Sequence, residues 1–460
     1  MEGEVVKKNR ITEGSIFGQL LLFFFPILFG TFFQQLYNTA DAMVVGRFVG
    51  KQALAAVGGS TSTLINLLVG FFVGLSSGAT VVISQFYGAR KADKVHWAVH
   101  TSIAFSVIGG IVFMIIGLAG SPWALEAMKT PEDVMGHSVV YIRIYFLGII
   151  ANLIYNMGAG ILRAVGDSRR PLYFLIASCL TNIALDILLV AVLRMGVAGA
   201  AIATISSQLL SAILVVRTLM RTDDMYKLEW NKVRIDRRML QRIVRIGIPA
   251  GMQSVMYNIS NVIIQAGVNT LGTDNVTAWA TYGKVDGLFW MMISALGISA
   301  TTFVGQNYGA GRMDRVRKGT SVCMGIGVLL TTIVGVVLYT GGYLLVDLFT
   351  EDAEVRRISM ELVRFMVPTF ITYIAIEVLS GTLRGVGDAW MPLVITGVGI
   401  CAVRVLWIIV ALPVCPHILT AAFSYPLTWT ITSLAFVVYY YCFSRLRRFN
   451  LKKYFRLPRF

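Results

Sequence analysis

The sequence predicts an all-α integral membrane protein: twelve transmembrane helices in two homologous six-helix bundles, related by a pseudo-twofold axis along the membrane normal. Three observations predict it. The chain is 56% apolar and only 14% charged, whereas soluble proteins run nearer a quarter charged. Its basic residues gather in every second connection between apolar runs. Long motifs also recur at one fixed offset along the chain.

The apolar segments fall at roughly 17–42, 54–85, 97–120, 137–160, 171–193, 197–216, 243–267, 275–303, 320–346, 358–381, 390–412 and 420–443. At 1.5 Å rise per residue, each is long enough to cross a hydrocarbon core of about 30 Å. The first lies behind Lys7, Lys8 and Arg10 and is too long for the core of a signal peptide. It carries Pro26 near its middle. Gln34, Asn38 and Asp41 follow at i, i+4 and i+7, on one helix face.

Among the connections, 90–94 holds Arg90, Lys91 and Lys94, 163–170 holds Arg163, Arg169 and Arg170, and 312–318 holds Arg312, Arg315, Arg317 and Lys318. The middle stretch is more basic still, from Arg217 through Arg221, Lys227, Lys232, Arg234, Arg237, Arg238 and Arg242 to Arg245. The tail adds Arg445, Arg447, Arg448, Lys452, Lys453, Arg456 and Arg459. The alternate connections are poor in positive charge or acidic, as with Glu126, Glu132 and Asp133, or Asp347, Glu351, Asp352 and Glu354. Lys and Arg concentrate in cytoplasmic loops, so both termini are expected in the cytoplasm of a multi-pass inner (cytoplasmic) membrane protein. The net charge of +16 is then a topology and lipid-facing signal, with no nucleic-acid partner.

ILRAVGDSRRPL at 161–172 returns as TLRGVGDAWMPL at 382–393, and QFYGARKAD at 85–93 as QNYGAGRMD at 306–314, both offset by 221 residues. Pro26 and Asn38 match Pro249 and Asn261 at an offset of 223. The expected organisation is an N-terminal bundle over 1–216, a basic cytoplasmic linker over 217–242, a C-terminal bundle over 243–445 and a basic tail over 446–460. Six is even, so the repeats are parallel. A cleft between two such bundles suits alternating access. The cysteines, Cys179, Cys323, Cys401, Cys415 and Cys442, are odd in number and widely spaced, which suggests neither disulfides nor zinc.

Chemistry concentrates in the first half. Asn182 and Asp186 share a face of the fifth segment at i, i+4, and Thr204 lies in the sixth. Counted along the helices, Asp186 sits about 22 Å from one surface and Thr204 about 10 Å from the other, which is one level in a core of about 30 Å. Asp41 belongs to that level too. Two carboxylates, an amide oxygen and a hydroxyl make a hard-oxygen site for sodium or a shared proton. Buried carboxylates without a basic partner are costly and mark function. The repeat offsets carry Asp41 to Ile264, Asp186 to Trp407 and Thr204 to Tyr425, so the candidate site exists in one half alone.

With these motifs the chain resembles the multidrug and toxic compound extrusion (MATE) transporters over nearly its whole length. It is similar to the prokaryotic branch that holds its cation in the N-terminal bundle. The resemblance implies a coupling site of Asp41, Asn182, Asp186 and Thr204, with Ala200 in the place that supplies a backbone carbonyl. It also implies that Pro26 is a hinge of the first helix. Another branch uses acidic residues in helices seven and ten, where this chain has Gln253, Asn258, Asn261 and Tyr373.

The implied function is secondary active antiport, exporting amphipathic or cationic organic compounds in exchange for inward Na+ or H+, with no cofactor. Small drug-like molecules and membrane lipid are the expected partners, and a single chain the working unit. Gln34, Asn38, Gln253, Tyr257, Asn258, Asn261 and Lys284 are candidates to line the cleft, with Trp290, Met291 and Met292 as apolar wall. Lys284 and Asp286 point to different faces, and Glu377 sits towards the cytoplasmic end of its helix. His96 and His100 have metal-ligand spacing without the glutamate of a zincin helix, so an interfacial structural role is expected. Arg163 with Asp167 and Arg384 with Asp388 are expected i, i+4 clamps. The alternative is a lipid-linked precursor flippase, which should show arginines inside its cleft. Four scattered histidines offer no enzyme site.

Overall fold

The computed structural model describes residues 10–446. Lys7, Lys8 and the basic residues of the tail from Arg447 onwards lie outside them. Among the described residues the chain is helical throughout, with no strand. After one turn at Arg10–Glu13 come α1 (Ile16–Phe48), α2 (Lys51–Gly88), α3 (Ala92–Ala127), α4 (Glu132–Leu147 with Ile149–Ala164), α5 (Arg169–Val192) and α6 (Gly196–Arg221). The second half gives α7 (Arg237–Asn269), α8 (Thr273–Gly309), α9 (Met313–Asp347), α10 (Ala353–Gly385), α11 (Trp390–Val414) and α12 (Ile418–Phe443).

Ten of these are long and apolar enough to span a bilayer, and the two arms of α4, bent by 51°, make an eleventh span. The bend falls at Gly148, where a Cβ would stand 2.4 Å from Ile205. Only α7 fails on composition, through Gln253, Asn258, Asn261 and Gln265, although its length matches its neighbours.

The repeated motifs are helix stops. At 90 and 311 the backbone turns left-handed, with φ of 54° at Arg90 and 71° at Gly311. The amides of Lys91 and Arg312 reach back to the carbonyls of Phe86 and Asn307 at 3.0 and 2.9 Å. The second motif does the same at Gly166 and Gly387, where Asp167 and Asp388 donate their amides to Leu162 and Leu383. These bonds satisfy the carbonyls that a helix end leaves open.

The chain divides into two compact units: residues 22–251, and 252–446 joined by 10–21. Each half therefore contributes its opening segment to the unit built mainly from the other half. In the first unit, α7 enters alongside α2. Gly74 and Gly78 face Gly247 and Gly251 so closely that a Cβ on Gly78 would lie 2.3 Å from the Ile243 carbonyl. Facing small residues at this spacing let two helix backbones touch.

Helices α6 and α7 extend into the basic middle stretch and leave 222–236 between them. That segment is docked on α3. The Glu229 amide donates to Nε2 of the buried His100 (3.0 Å), the Asp236 amide donates to Thr101 (3.1 Å), and Arg234 lies 4.3 Å over Trp97. His100 Nδ1, 2.8 Å from the His96 carbonyl, supplies the proton for that bond, so the histidine pair holds a loop. Lys232, hydrogen-bonded to Glu229, keeps that exposed carboxyl below its ordinary range. In the other unit, Arg315 donates to the carbonyls of Ile11 (3.0 Å) and Gly14 (2.7 Å), and Arg312 to Thr12 (2.9 Å).

Candidate functional site

Helix α5 is α-helical to Asp186 and then widens into a π-helical stretch, Ile187–Val192. Such a widening shifts the register of the side chains and often accompanies a functional position. It fits α5 against the start of α6, where a Cβ on Gly199 would meet the Leu189 carbonyl at 3.1 Å. Below it, the Ser178 hydroxyl donates to the Ser207 carbonyl (2.9 Å), and Ser207 donates to the Thr204 carbonyl (2.8 Å). An apolar cluster of Val45, Tyr141, Val190, Val197 and Ala200 closes the other side.

Inside this frame Asp41 is 6% exposed, Thr204 2%, and Asn182, Asp186 and Ala200 0%. Asp41 and Asp186 are within electrostatic reach of one another. Tyr37 is within reach of both carboxylates and of Thr204. Tyr141 is close to Asp41 and Thr204. No protein group satisfies Asp41 Oδ1, both Asp186 oxygens, Asn182 Oδ1 and Nδ2, or Thr204 Oγ1. Nearly all buried polar atoms in proteins have a partner, and each exception calls for an explanation. Five of these six orphans are oxygens. Oxygen donors of this kind can engage a hard monovalent cation, or carry protons on the carboxylates, while the amide nitrogen is a donor that neither satisfies. Among the described residues no three His, Cys, Asp or Glu side chains converge as a metal site, which sets this donor set apart from a transition-metal centre.

Other sequence candidates lie elsewhere. Gln34 and Asn38 are exposed on α1, and Asn261 and Lys284 are exposed in the second unit. Gln253 is buried and donates to Thr396 (2.9 Å), Tyr257 meets Tyr373 hydroxyl to hydroxyl (3.3 Å), and Asn258 bonds the Ser254 carbonyl (2.9 Å). Asp286 accepts from Trp290 (3.0 Å), and Glu377 faces Arg384 at 3.8 Å. Pro26 lies inside an unbroken α1, four residues past the boundary between units.

The expected clamps are corrected. Asp167 does not pair with Arg163. It caps the next helix, accepting from the amides of Arg169 and Arg170 and pairing with the Arg170 side chain at 3.3 Å. Asp388 accepts from Tyr439 at 2.6 Å instead of from Arg384. The left-handed glycines before both aspartates carry them out of the helix, so i, i+4 geometry no longer applies.

Sequence reasoning overlooked two features. Tyr37 and Tyr141 stand beside the candidate site, and Tyr37 is one turn before Asp41. Arg404 is a lone basic residue inside the apolar run of α11, and it is 2% exposed.

The MatE family profile matches residues 26–188 and 249–410, one match in each repeat and together more than half of the chain. The probable multidrug resistance protein YoeA of Bacillus subtilis (strain 168) is 28% identical over 411 residues, 87% of this chain and 88% of YoeA. The multidrug export protein MepA of Staphylococcus aureus (strain MSSA476) is 22% identical over 382 residues, 82% of this chain and 83% of MepA. A MOP superfamily transporter from Pyrococcus furiosus Vc1 (DSM3638) shares the fold, with a TM-score of 0.89 at 20% identity over 98% of this chain and 99% of that one. Repeat, helix count and profile agree: the chain belongs to the MatE family, whose members are transporters and not enzymes.

Proposed function

We propose that this transporter is a multidrug antiporter of the inner membrane, exporting amphipathic or cationic organic compounds in exchange for inward Na+ or H+ by alternating access, with both termini cytoplasmic. The relatives' names support the export of drugs, and the alternation of basic connections supports the orientation. One observation carries the coupling site: the six orphaned polar atoms of Asp41, Asn182, Asp186 and Thr204 in a buried, helix-locked cluster.

The mechanism follows from electrostatics. Two carboxylates at membrane depth repel each other and are costly to dehydrate. A bound cation or two protons cancels both penalties, and also removes the attraction these groups hold for a cationic substrate. Ion entry therefore discharges the drug. Pro26, lacking an N–H, leaves α1 a backbone bond short one helical stretch before Asp41, so the change at Asp41 can bend the helix. A lipid-linked precursor flippase is the weaker reading. The buried arginine Arg404 is committed to its own unit and does not offer the exposed cationic surface that such a substrate needs.

Drug-driven ion flux in proteoliposomes tests this, with a sodium or a pH gradient imposed separately on wild type and Asp186→Asn. Flux that follows one gradient and vanishes in the variant identifies the ion and the site. Flux indifferent to both gradients and to the substitution would remove the antiport reading.

A further inference from the structure

The second unit holds a buried charge that the proposed cycle does not use. Arg404 on α11 donates from Nη2 to the Thr428 hydroxyl on α12 (3.0 Å), and its Cζ lies 4.0 Å from the centre of the Tyr425 ring. Its Nε finds no acceptor. Its electrostatic neighbours are the phenols of Tyr425, Tyr257 and Tyr373 and the Cys401 thiol. No carboxylate is among them: Glu377 faces Arg384, and Asp286, within electrostatic reach of Tyr425, accepts from Trp290. A guanidinium buried without a carboxylate is costly. Here the ring face and one hydroxyl hold it.

The repeat gives this placement a meaning. At the offset of 221, α11 and α12 correspond to α5 and α6. Val403 and Trp407 fall on Asn182 and Asp186, with Arg404 between them. Tyr425 falls on Thr204, and Thr428 on Ser207. The guanidinium thus sits on the residue that replaces Thr204, between the same pair of helices.

We propose that Tyr425 and Thr428 form a cation site whose occupant is built into the chain: Arg404 is a resident cation, seated where the other repeat would bind a free one. The second unit therefore keeps its charge throughout the cycle, and ion binding switches the first unit alone. The correspondence with a coupling site rests on the function proposed above, but the cage itself does not.

A cage emptied of its occupant should accept a free cation of the same shape. The test uses full-length protein in detergent, with methylguanidinium chloride at low millimolar concentration as probe, and sodium chloride and tetramethylammonium chloride as controls. Arg404→Ala should lower the melting temperature, and methylguanidinium should raise it again by several degrees in a saturable way. Wild type should show no such rise, and adding Tyr425→Leu to Arg404→Ala should abolish it. An Arg404→Ala protein indifferent to methylguanidinium, or answering all three salts alike, overturns the proposal.

Should Arg404→Ala not fold, substitutions at Tyr425 decide. The ring face predicts that Tyr425→Phe melts close to wild type and Tyr425→Leu well below it, whereas equal losses overturn the proposal. A methylguanidinium response alongside absent ion-coupled flux would leave the cage standing and sink the antiport reading.

Discussion

Helices α5 and α6 of the first repeat and α11 and α12 of the second descend from one template, yet they solve opposite electrostatic problems. The first pair gathers acceptors, Asp186, Asn182 and Thr204 with Asp41 from α1, and no protein group satisfies them. The second pair carries a guanidinium and seats it on Tyr425 and Thr428. Even the π-helical stretch has moved, from after Asp186 at Ile187–Val192 to before Arg404 at Gly397–Ala402. A duplicated scaffold can keep its helix ends while its two interiors diverge, one into a set of unsatisfied acceptors and the other into a seated guanidinium.

The largest effect expected from breaking this comparison lies at Asp186. Even outer partners of a metal site are worth about 10–100-fold in affinity, so Asp186→Asn should reduce ion-driven efflux by more than about 100-fold. In ion-free buffer the same variant should melt higher than wild type, because it removes a buried carboxylate with no partner. Adding sodium should no longer raise its melting temperature. A variant that keeps full coupling would place the ion elsewhere.

A second comparison separates the two repeats at the glycines of α2. The positions matching Gly74 and Gly78 hold Ala295 and Ser299, and those matching Gly247 and Gly251 hold Phe24 and Leu28, so the set of four facing glycines occurs once in the sequence. A methyl on Gly78 would stand 2.3 Å from the Ile243 carbonyl and 2.6 Å from the Gly247 nitrogen. Overpacking of this kind costs about 1–3 kcal/mol, and backbone atoms on both sides put Gly78→Ala at the upper end. Ser299→Ala removes only a hydroxyl bonded to the Ala295 carbonyl in its own helix (2.7 Å), and should cost about 1 kcal/mol or less. Chemical unfolding of both variants in detergent gives the contrast, and equal losses would deny the seam its special status.

Thr204 and Tyr425 occupy one position of the repeat and invite a finer test. Thr204→Val keeps the shape and removes one neutral oxygen. Sodium binding should weaken about tenfold, or about 1.4 kcal/mol, with both carboxylates still able to protonate. A Thr204→Val protein that loses sodium coupling but keeps proton coupling would show which ion needs the full oxygen set. Isothermal titration and flux under a pH gradient read the two outcomes separately.

Much of the first site is legible in the sequence, because helical periodicity and membrane depth are both written in one dimension. Asn182 and Asp186 share a face by spacing alone, and counting residues brings Thr204 and Asp41 to their level. Arg404 is not legible in the same way: depth marks a buried charge but says nothing of its partner, and both Tyr425 and Thr428 are on another helix. The expected Arg163–Asp167 and Arg384–Asp388 pairs fail for the reverse reason. Their spacing is right for a helix, but the helix has already ended. Nor does any local signal tell that residues 10–21 pack in the unit of α8 and α9, while the start of α7 packs against α2. That exchange depends on contacts hundreds of residues apart.

The smallest expected effect concerns the helix stops, where the two repeats meet one backbone demand with different residues. Position 90 holds arginine and position 311 glycine, both left-handed. A side chain in that conformation costs about 1–2 kcal/mol, and nothing lies within 4 Å of a Cβ built on Gly311. Gly311→Ala should therefore lose about 1 kcal/mol from backbone strain alone. Arg90→Gly relieves the same strain, but it adds the backbone entropy cost of a glycine, so its gain should be smaller than the loss at Gly311. Paired denaturation curves in detergent measure both. If Gly311→Ala were as stable as wild type, the left-handed turn would impose no demand of its own, and the glycine would be an accident of the second repeat.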